Sequence, residues 1–148
     1  MFFIKLQKKI VSSLSRQEVI QRLFEVTNTN NKYNDLFVGR IGNNDFEIKE
    51  KLKDSVRNNF NPVLVGKITE TDNGCEIDIT ARLNIFGIIF LSIWSLGAIV
   101  FPLFLGLVEP LLLFIPLIFA SFLTVLLLFA FYKPAKRNIA LLNSILLK

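Results

Sequence analysis

The stretch of sequence that decides the fold is Ile85–Tyr132, which reads IFGIIFLSIWSLGAIVFPLFLGLVEPLLLFIPLIFASFLTVLLLFAFY. Of its 48 residues, 37 are hydrophobic and one, Glu109, is charged. The whole chain of 148 residues is 52% hydrophobic, against about 45–50% in an average soluble domain. The excess is therefore concentrated in one place, which argues against a purely soluble protein, a disordered chain and a secreted module built on disulfides.

The apolar stretch is long enough for two membrane spans, because about 20 apolar residues cross a hydrocarbon core of roughly 30 Å. We predict transmembrane helices at residues 85–108 and 111–132, joined by a tight turn at Glu109-Pro110. Proline disfavours helix at the residue before it, and glutamate is costly at the bilayer centre, so this dipeptide should lie at a membrane surface. The alternative is a buried helix pair in a soluble protein, but the 84 preceding residues are too few to cover two helices that are apolar on all sides.

Charged residues beside the spans predict their direction. Arg82 precedes the first span, and Lys133, Lys136 and Arg137 follow the second, whereas the turn between them has neither lysine nor arginine. Positive flanks stay on the cytoplasmic side of a membrane. We therefore expect a multi-pass protein of the cytoplasmic (inner) membrane with both termini in the cytoplasm and Glu109 facing outward.

The interior of the spans has no charged partner that would mark a transport site. Pro102 and Pro116 would free backbone carbonyls, but nothing strongly polar accompanies them. We expect a packed hairpin, with Trp94 in packing or lipid contact. Small residues that would let the helices approach each other are Ser92, Ser95, Gly97, Ser121 and Thr124.

The first part of the chain begins with a strand pattern and a helix start. Residues 2–14 alternate between apolar and polar side chains, as a half-buried strand does. Ser15-Arg16-Gln17-Glu18 has the pattern of a capping box, in which Ser15 and Glu18 exchange hydrogen bonds and a helix follows. The predicted buried face of that helix consists of Val19, Ile20, Leu23, Phe24 and Thr27.

Four further strands are expected, in two hairpins. Residues 36–41 and 46–51 flank the turn Gly42–Asp45, and residues 63–71 and 75–84 flank Asp72-Asn73-Gly74. Asn-Gly suits a two-residue type I′ turn. That turn would pair Ile68 with Ile79, Gly66 with Ala81 and Leu64 with Leu83, which places the apolar sets of both strands on one face.

These elements predict an α+β fold: a small antiparallel sheet of about five strands, an N-terminal helix, a C-terminal helix, and a transmembrane hairpin inserted before that last helix. The expected divisions are 1–84 for the cytosolic domain, 85–132 for the hairpin and 133–148 for the cytosolic C-terminal helix. Pro134 suits the first turn of a helix, and the following apolar residues recur at helical spacing. We favour packing of this tail on the sheet over the membrane surface, because one helix covers a five-stranded face poorly.

The sequence offers little for catalysis, so we predict no catalytic residue, no cofactor and no metal ion. It has no histidine, and its single cysteine, Cys75, falls on the core side of a strand. Glu70, Asp72, Glu76 and Asp78 surround the Asn-Gly turn but lack the spacing of a calcium loop, which favours a solvated hairpin tip. The polar run 57–62 is either a binding loop or an entry turn into the next strand.

Charge and cysteine content exclude two further classes. Residues 1–84 carry 13 Lys/Arg and 11 Asp/Glu, so most of the net charge of +5 lies elsewhere. A domain with nearly equal numbers of positive and negative residues lacks the concentrated basic face of a nucleic-acid-binding module. One cysteine permits neither an internal disulfide nor a Cys-rich metal site.

The strand regions contain the motifs Phe37-x-Gly39-x-Ile41, Phe46-x-Ile48, Arg57-Asn58-x-Phe60-x-Pro62-x-x-x-Gly66-x-Ile68 and Gly74-x-x-Ile77. With the two spans, this pattern resembles a group of small bacterial membrane proteins with an N-terminal α+β domain and no assigned reaction. The resemblance covers most of the chain and implies membrane insertion but no particular activity. The order of elements is similar, more distantly, to helix-grip folds that hold apolar ligands, although this chain has too few elements for a full version.

The resulting hypothesis is an integral membrane protein whose cytosolic domain is an interaction or ligand-binding module at the inner leaflet. The expected partner is the lipid bilayer, with a second copy of the chain or another membrane protein as a further one. One alternative is a binder of lipids or lipophilic ligands in the gap between sheet and helices, and another is a small accessory subunit of a membrane complex. An enzyme acting at the membrane surface is disfavoured by the missing histidine and nucleophile.

Overall fold

A computed structural model describes residues 5–27, 36–51, 61–108 and 114–147. The fold is α+β, as the hydrophobic pattern predicts. In chain order the elements are β1 (Lys5–Ser12), α1 (Arg16–Val26), β2 (Phe37–Ile41), β3 (Asp45–Glu50), β4 (Val63–Thr71), β5 (Gly74–Arg82), α2 (Ile85–Val108) and α3 (Phe114–Leu146).

The five strands form one antiparallel sheet in the order β1-β5-β4-β3-β2. Strands β2 to β5 follow each other as a meander, and β1 lies at the edge beside the last of them. This placement of β1 joins residues from the two ends of the domain: Lys5 lies opposite Arg82, and Ser12 lies opposite Cys75. The run 57–60, part of the polar segment before β4, lies outside the described residues.

Helix α1 begins where the capping-box pattern predicts it. The Ser15 backbone N–H donates to Glu18 Oε2 over 2.8 Å, and the Glu18 N–H donates to Ser15 Oγ over 3.4 Å. These bonds satisfy N–H groups that have no partner inside the helix. Val19 and Leu23 are fully buried one turn apart, so the cap sets the point from which the apolar face of α1 meets the sheet.

The β4–β5 hairpin corrects the predicted register by two residues. Its central turn residues are Asp72 and Asn73, and the observed pairs are Ile68 with Ile77, Gly66 with Ile79 and Leu64 with Ala81. A two-residue shift preserves the face of every side chain, so hydrophobic alternation is equally satisfied by both registers. Gly74 follows the turn with φ of 134°, a conformation that glycine adopts readily.

Helix α3 is continuous from Phe114 to Leu146, with Pro134 inside it. The end of the expected second span and the expected C-terminal helix therefore lie in one helix, with no break at residue 133. Its last part packs on the sheet, as the sequence favours: Ser12 Oγ donates to the Leu146 carbonyl over 3.1 Å, and Arg22 donates to the Ile145 carbonyl over 3.1 Å. The predicted turn at Glu109-Pro110 lies outside the described residues.

The core lies between the inner face of the sheet and helices α1 and α3, and side chains fill it. Phe46 covers the position of Gly66 on the neighbouring strand: a Cβ on this glycine would lie 2.0 Å from the Phe46 ring. The large side chains that are fully buried include Phe37, Phe46, Phe131, Leu23, Ile48, Leu64, Ile77, Ile79, Leu142, Leu146 and Val19. Among the described residues, the space between sheet and helices is occupied by the protein itself.

Candidate functional site

The largest feature that the fold leaves unexplained is the exposed apolar surface of α2 and α3. Two helical segments, Ile85–Phe104 and Phe114–Leu146, are long and apolar enough to cross a membrane. Only 11% and 6% of their most apolar 18-residue windows are buried. Ile93 and Ile118, for example, are 68% and 70% exposed. Contiguous apolar surface of this extent is unusual on a soluble monomer and marks contact with a membrane or with another protein.

The few hydroxyl groups on this surface are satisfied inside their own helices. Ser92 donates to the Ile88 carbonyl over 2.9 Å, and Ser95 donates to the Leu91 carbonyl over 2.7 Å. Ser121 and Thr124 make the same bond four residues back, each over 2.8 Å. Polar groups need such internal partners where water is absent, so the surface is compatible with a hydrocarbon surrounding along its length.

Helices α2 and α3 contact each other, and each has a stripe of less exposed residues. On α2 these residues are Ile88, Leu91, Trp94, Ala98 and Pro102, and on α3 they are Pro116, Ala120, Leu123, Leu127 and Phe131. The small residues expected at this contact are elsewhere: the two serines of α2, Ser121 and Thr124 are exposed, and a Cβ on Gly97 would meet nothing within 4 Å. Trp94 is half-buried in the stripe, which is the packing role expected of it.

The chain enters α2 through Arg82 and Asn84. Arg82, at the end of β5, forms an ion pair with Glu47 on β3 over 2.9 Å. Asn84 caps the helix: its Oδ1 accepts from the Phe86 N–H over 2.6 Å and from the Gly87 N–H over 3.4 Å. The cap satisfies donors that would otherwise be unpaired at the start of an apolar helix. The charged end of β5 at Arg82 is thus only three residues from the first apolar residue of α2, Ile85. The sheet and the helix are joined without a long linker.

The other flanking cations lie on α3 after its apolar part. Lys133, Lys136 and Arg137 are all exposed. Arg137 donates to both carboxylate oxygens of Glu50 at 2.5 and 2.6 Å, which connects α3 to the end of β3. All four predicted flanking residues therefore belong to the sheet end of the helical hairpin. These four positively charged residues therefore lie close to the junction between the two apolar helices and the domain.

A cleft of about 650 Å³ lies beside this junction, between the outer face of the sheet and the start of α2. Three cationic side chains, Arg40, Lys49 and Arg82, line it together with the carboxylate of Glu47. Apolar residues of the same cleft are Val38, Val63, Leu83, Ile85, Phe86 and Ile88. Neither Arg40 nor Lys49 was identified from the sequence as a functional residue. Their strands are far from α2 in sequence, and only the strand order brings them to it.

The residues considered for catalysis or metal binding are dispersed or buried. Cys75 is fully buried, and burial raises the pKa of its thiol, which keeps it protonated. Glu76 pairs with Lys9 over 2.6 Å, and Glu70 pairs with Arg16 over 3.2 Å. The hydrogen bond from Lys9 to Glu76 raises the pKa of this lysine. In the part of the chain that the structure describes, no three acidic or cysteine side chains are grouped to hold a metal ion.

Comparison with known proteins finds no matching family model, no matching curated protein and no matching solved structure. The resemblance to small two-span bacterial membrane proteins therefore stays a prediction. What the fold establishes is an α+β domain whose sheet continues directly into two exposed apolar helices of membrane-spanning length.

Proposed function

We propose that this chain is an integral protein of the cytoplasmic membrane, in which α2 and α3 cross the bilayer as a hairpin. In this proposal the sheet, α1 and the last part of α3 form a domain on the cytoplasmic surface. The domain acts as an interaction or ligand-binding module at the inner leaflet. Membership of the group of two-span bacterial proteins named above is part of the same proposal.

The observation that carries the proposal is the exposure of α2 and α3. A buried helix pair in a soluble protein would show most of its apolar window covered, whereas here the buried shares are 11% and 6%. Each serine and threonine hydroxyl in the apolar parts of the two helices already donates to a carbonyl of its own helix. Such helices are stable where no water and no protein surrounds them.

Membrane insertion is tested by alkaline extraction of membranes from cells that produce the full chain. We expect the wild type to stay in the pellet after a carbonate wash and to dissolve only in detergent. Replacing two exposed residues of α2 with arginine (Ile93→Arg and Leu96→Arg) should reduce the inserted fraction, because each arginine costs about 2.5–3.5 kcal/mol at a span centre. The matched control is Ile93→Leu with Leu96→Ile. Wild-type protein in the carbonate supernatant would refute insertion.

The orientation is tested by labelling intact cells with an impermeant thiol reagent. The native Cys75 is fully buried and provides a silent background. We expect Glu109→Cys, at the turn predicted from the sequence, to be labelled from outside. Asp78→Cys, on the exposed outer face of the sheet, should react only after lysis. The opposite pattern would mean that the domain faces outward.

We further infer that the domain works by binding and not by catalysis. The absence of histidine from the sequence, the burial of Cys75 and the ion pairs of Glu70 and Glu76 support this inference. A ligand held between the sheet and the helices is disfavoured, because side chains fill that space in the described part of the chain. Binding is therefore expected on an outer surface.

A further inference from the structure

On the outer face of the sheet, which faces away from α1 and α3, the balance of positive and negative side chains differs between the two ends of the strands. The pairing places Lys5, Arg82, Val63, Lys49 and Val38 in one row across all five strands. The next row consists of Gln7, Thr80, Val65, Glu47 and Arg40. These two rows, which we call the basic rows, hold four cations and a single carboxylate.

The other end of the same face has no excess of cations. There Lys9, Asp78, Lys67 and Asp45 form an alternating row, and Glu76 adds a further carboxylate. The cation excess therefore lies at one end of the strands only. That end is the one at which Arg82 is followed, three residues later, by the first residue of α2.

The cations of the basic rows are available for a ligand. Arg82 is held by Glu47, with side-chain exposures of 53% and 54% for the two partners. Lys5, Arg40 and Lys49 are exposed and form no ion pair with another described residue. Cations that outnumber the carboxylates beside them repel each other in the free protein, and a bound anion would relieve the repulsion.

The cleft beside α2 combines this charge with an apolar wall. Arg40 and Lys49 enter it from β2 and β3, and Phe86 and Ile88 enter it from the first turns of α2. Guanidinium and ammonium groups are the side chains that bind phosphate oxygens, the first in a bidentate manner. An amphiphile with a phosphate at one end and hydrocarbon at the other matches both walls of the cleft.

We propose that this cleft binds the headgroup of an anionic phospholipid of the inner leaflet, with Arg40 and Lys49 contacting its phosphate and the start of α2 lying against its acyl chains. The proposal rests on the membrane insertion proposed above, since that insertion places the start of α2 at the headgroup level. Anionic lipids of a cytoplasmic leaflet attract basic residues close to the surface.

The test uses the purified full chain in detergent, with native mass spectrometry to count retained lipid. The probes are phosphatidylglycerol and phosphatidylcholine of equal chain length. We expect a preference for phosphatidylglycerol that the double variant Arg40→Gln/Lys49→Gln weakens about 30-fold, roughly fivefold for each cation removed. The matched control, Lys9→Gln/Lys67→Gln, removes the same charge from the other end of the same face and should keep the preference.

Two measurements separate this proposal from its alternatives. Rising salt should weaken the wild-type preference, because exposed charges are screened, and millimolar inorganic phosphate should leave it unchanged if the acyl chains contribute. Equal effects of both double variants, no headgroup preference, or displacement by inorganic phosphate alone would overturn the proposal. Carbonate extraction of the same variants reports insertion independently, so an inserted protein without lipid preference refutes only the headgroup site.

Discussion

At the residue scale, Asn138 is a buried polar side chain in surroundings that do not satisfy its hydrogen-bonding groups. It is fully buried in the last part of α3, and neither its Oδ1 nor its Nδ2 has a hydrogen-bond partner among the described residues. A buried amide without partners costs its desolvation free energy, about 1–3 kcal/mol. Leucine has the same number and branching of side-chain heavy atoms without this cost.

We therefore predict that Asn138→Leu raises the free energy of unfolding of the domain by about 1–3 kcal/mol. Thermal or denaturant unfolding of the full chain in detergent, followed by circular dichroism, measures the change. The control is Asn143→Leu on the same helix, where the side chain is half-buried and a smaller effect is expected. A lower stability of the leucine variant at position 138 would show that the amide contributes favourably to the core.

A second prediction at this scale compares two glycines. A Cβ at Gly66 would lie 2.0–2.7 Å from atoms of the Phe46 ring, and Phe46 is itself only 2% exposed, so the ring has little space to move. Gly66→Ala should therefore lower stability by about 1–3 kcal/mol through overpacking. Gly97→Ala in α2, where nothing lies within 4 Å, should be neutral or raise helix stability by up to about 1 kcal/mol. Equal effects at both positions in unfolding experiments would contradict the packing of Phe46 over the glycine.

At the scale of elements, the start of α1 shows how a local pattern acts. The hydrogen bonds that Glu18 accepts from Ser15 lower the pKa of its carboxyl. A lowered pKa in the folded state means that this stabilisation is present above the unfolded pKa of about 4.3 and is lost as the pH falls through the folded value.

We expect Ser15→Ala to lower the free energy of unfolding by about 1 kcal/mol at neutral pH, as the loss of an N-cap does. Glu18→Gln should keep an acceptor for the Ser15 N–H. Because glutamine does not titrate, this variant should lose less stability than the wild type when the pH falls below about 4.3. Unfolding curves at pH 7 and pH 4 measure both effects. If the glutamine variant lost as much stability on acidification as the wild type, the capping carboxylate would have no role in acid sensitivity.

Elements that depend on neighbouring residues were predictable from the sequence, and those that depend on distant ones were not. The capping box gives α1, and apolar alternation between turn residues gives each strand. The predicted register of the β4–β5 hairpin was wrong by two residues, because the alternation of apolar and polar side chains is the same in both registers. Pro134 was expected to start a helix, but a proline in a first turn and one inside a continuous helix look alike in sequence.

The candidate site shows the same division. Arg82, Lys133, Lys136 and Arg137 were predictable, because their role follows from adjacency to the apolar stretch. The basic rows were not, since their cations come from four strands. They become a group only through the order β1-β5-β4-β3-β2, which no local pattern encodes.

At the scale of the whole molecule, the domain is completed by residues from the end of the apolar hairpin and from the part of α3 that follows it. Phe131, Ala135, Ile139, Leu142 and Leu146 of α3 belong to the same core as the five strands. The α3 positions in this core are at most 3% exposed. The sheet therefore lacks one of its two covering helices until the second apolar segment has been made.

This arrangement predicts that residues 1–84 alone do not reach the native fold. A core that loses five buried side chains exposes an apolar sheet face, and small domains have little stability in reserve. We expect this fragment to bind a hydrophobic dye and to show poorly dispersed NMR spectra. Joining residues 131–148 to it through a flexible linker of about ten residues, which spans roughly 17 Å on average, should restore dispersion.

The control for that prediction is the joined protein carrying Leu142→Ala, which should lose about 2–5 kcal/mol of stability. Leu147→Ala, at a position that is 56% exposed, should change little. A well-dispersed spectrum of residues 1–84 on their own would contradict the dependence on α3. If the dependence holds, folding of the sheet waits for synthesis of the apolar hairpin. A chain that stops before α3 would then expose the sheet's apolar face.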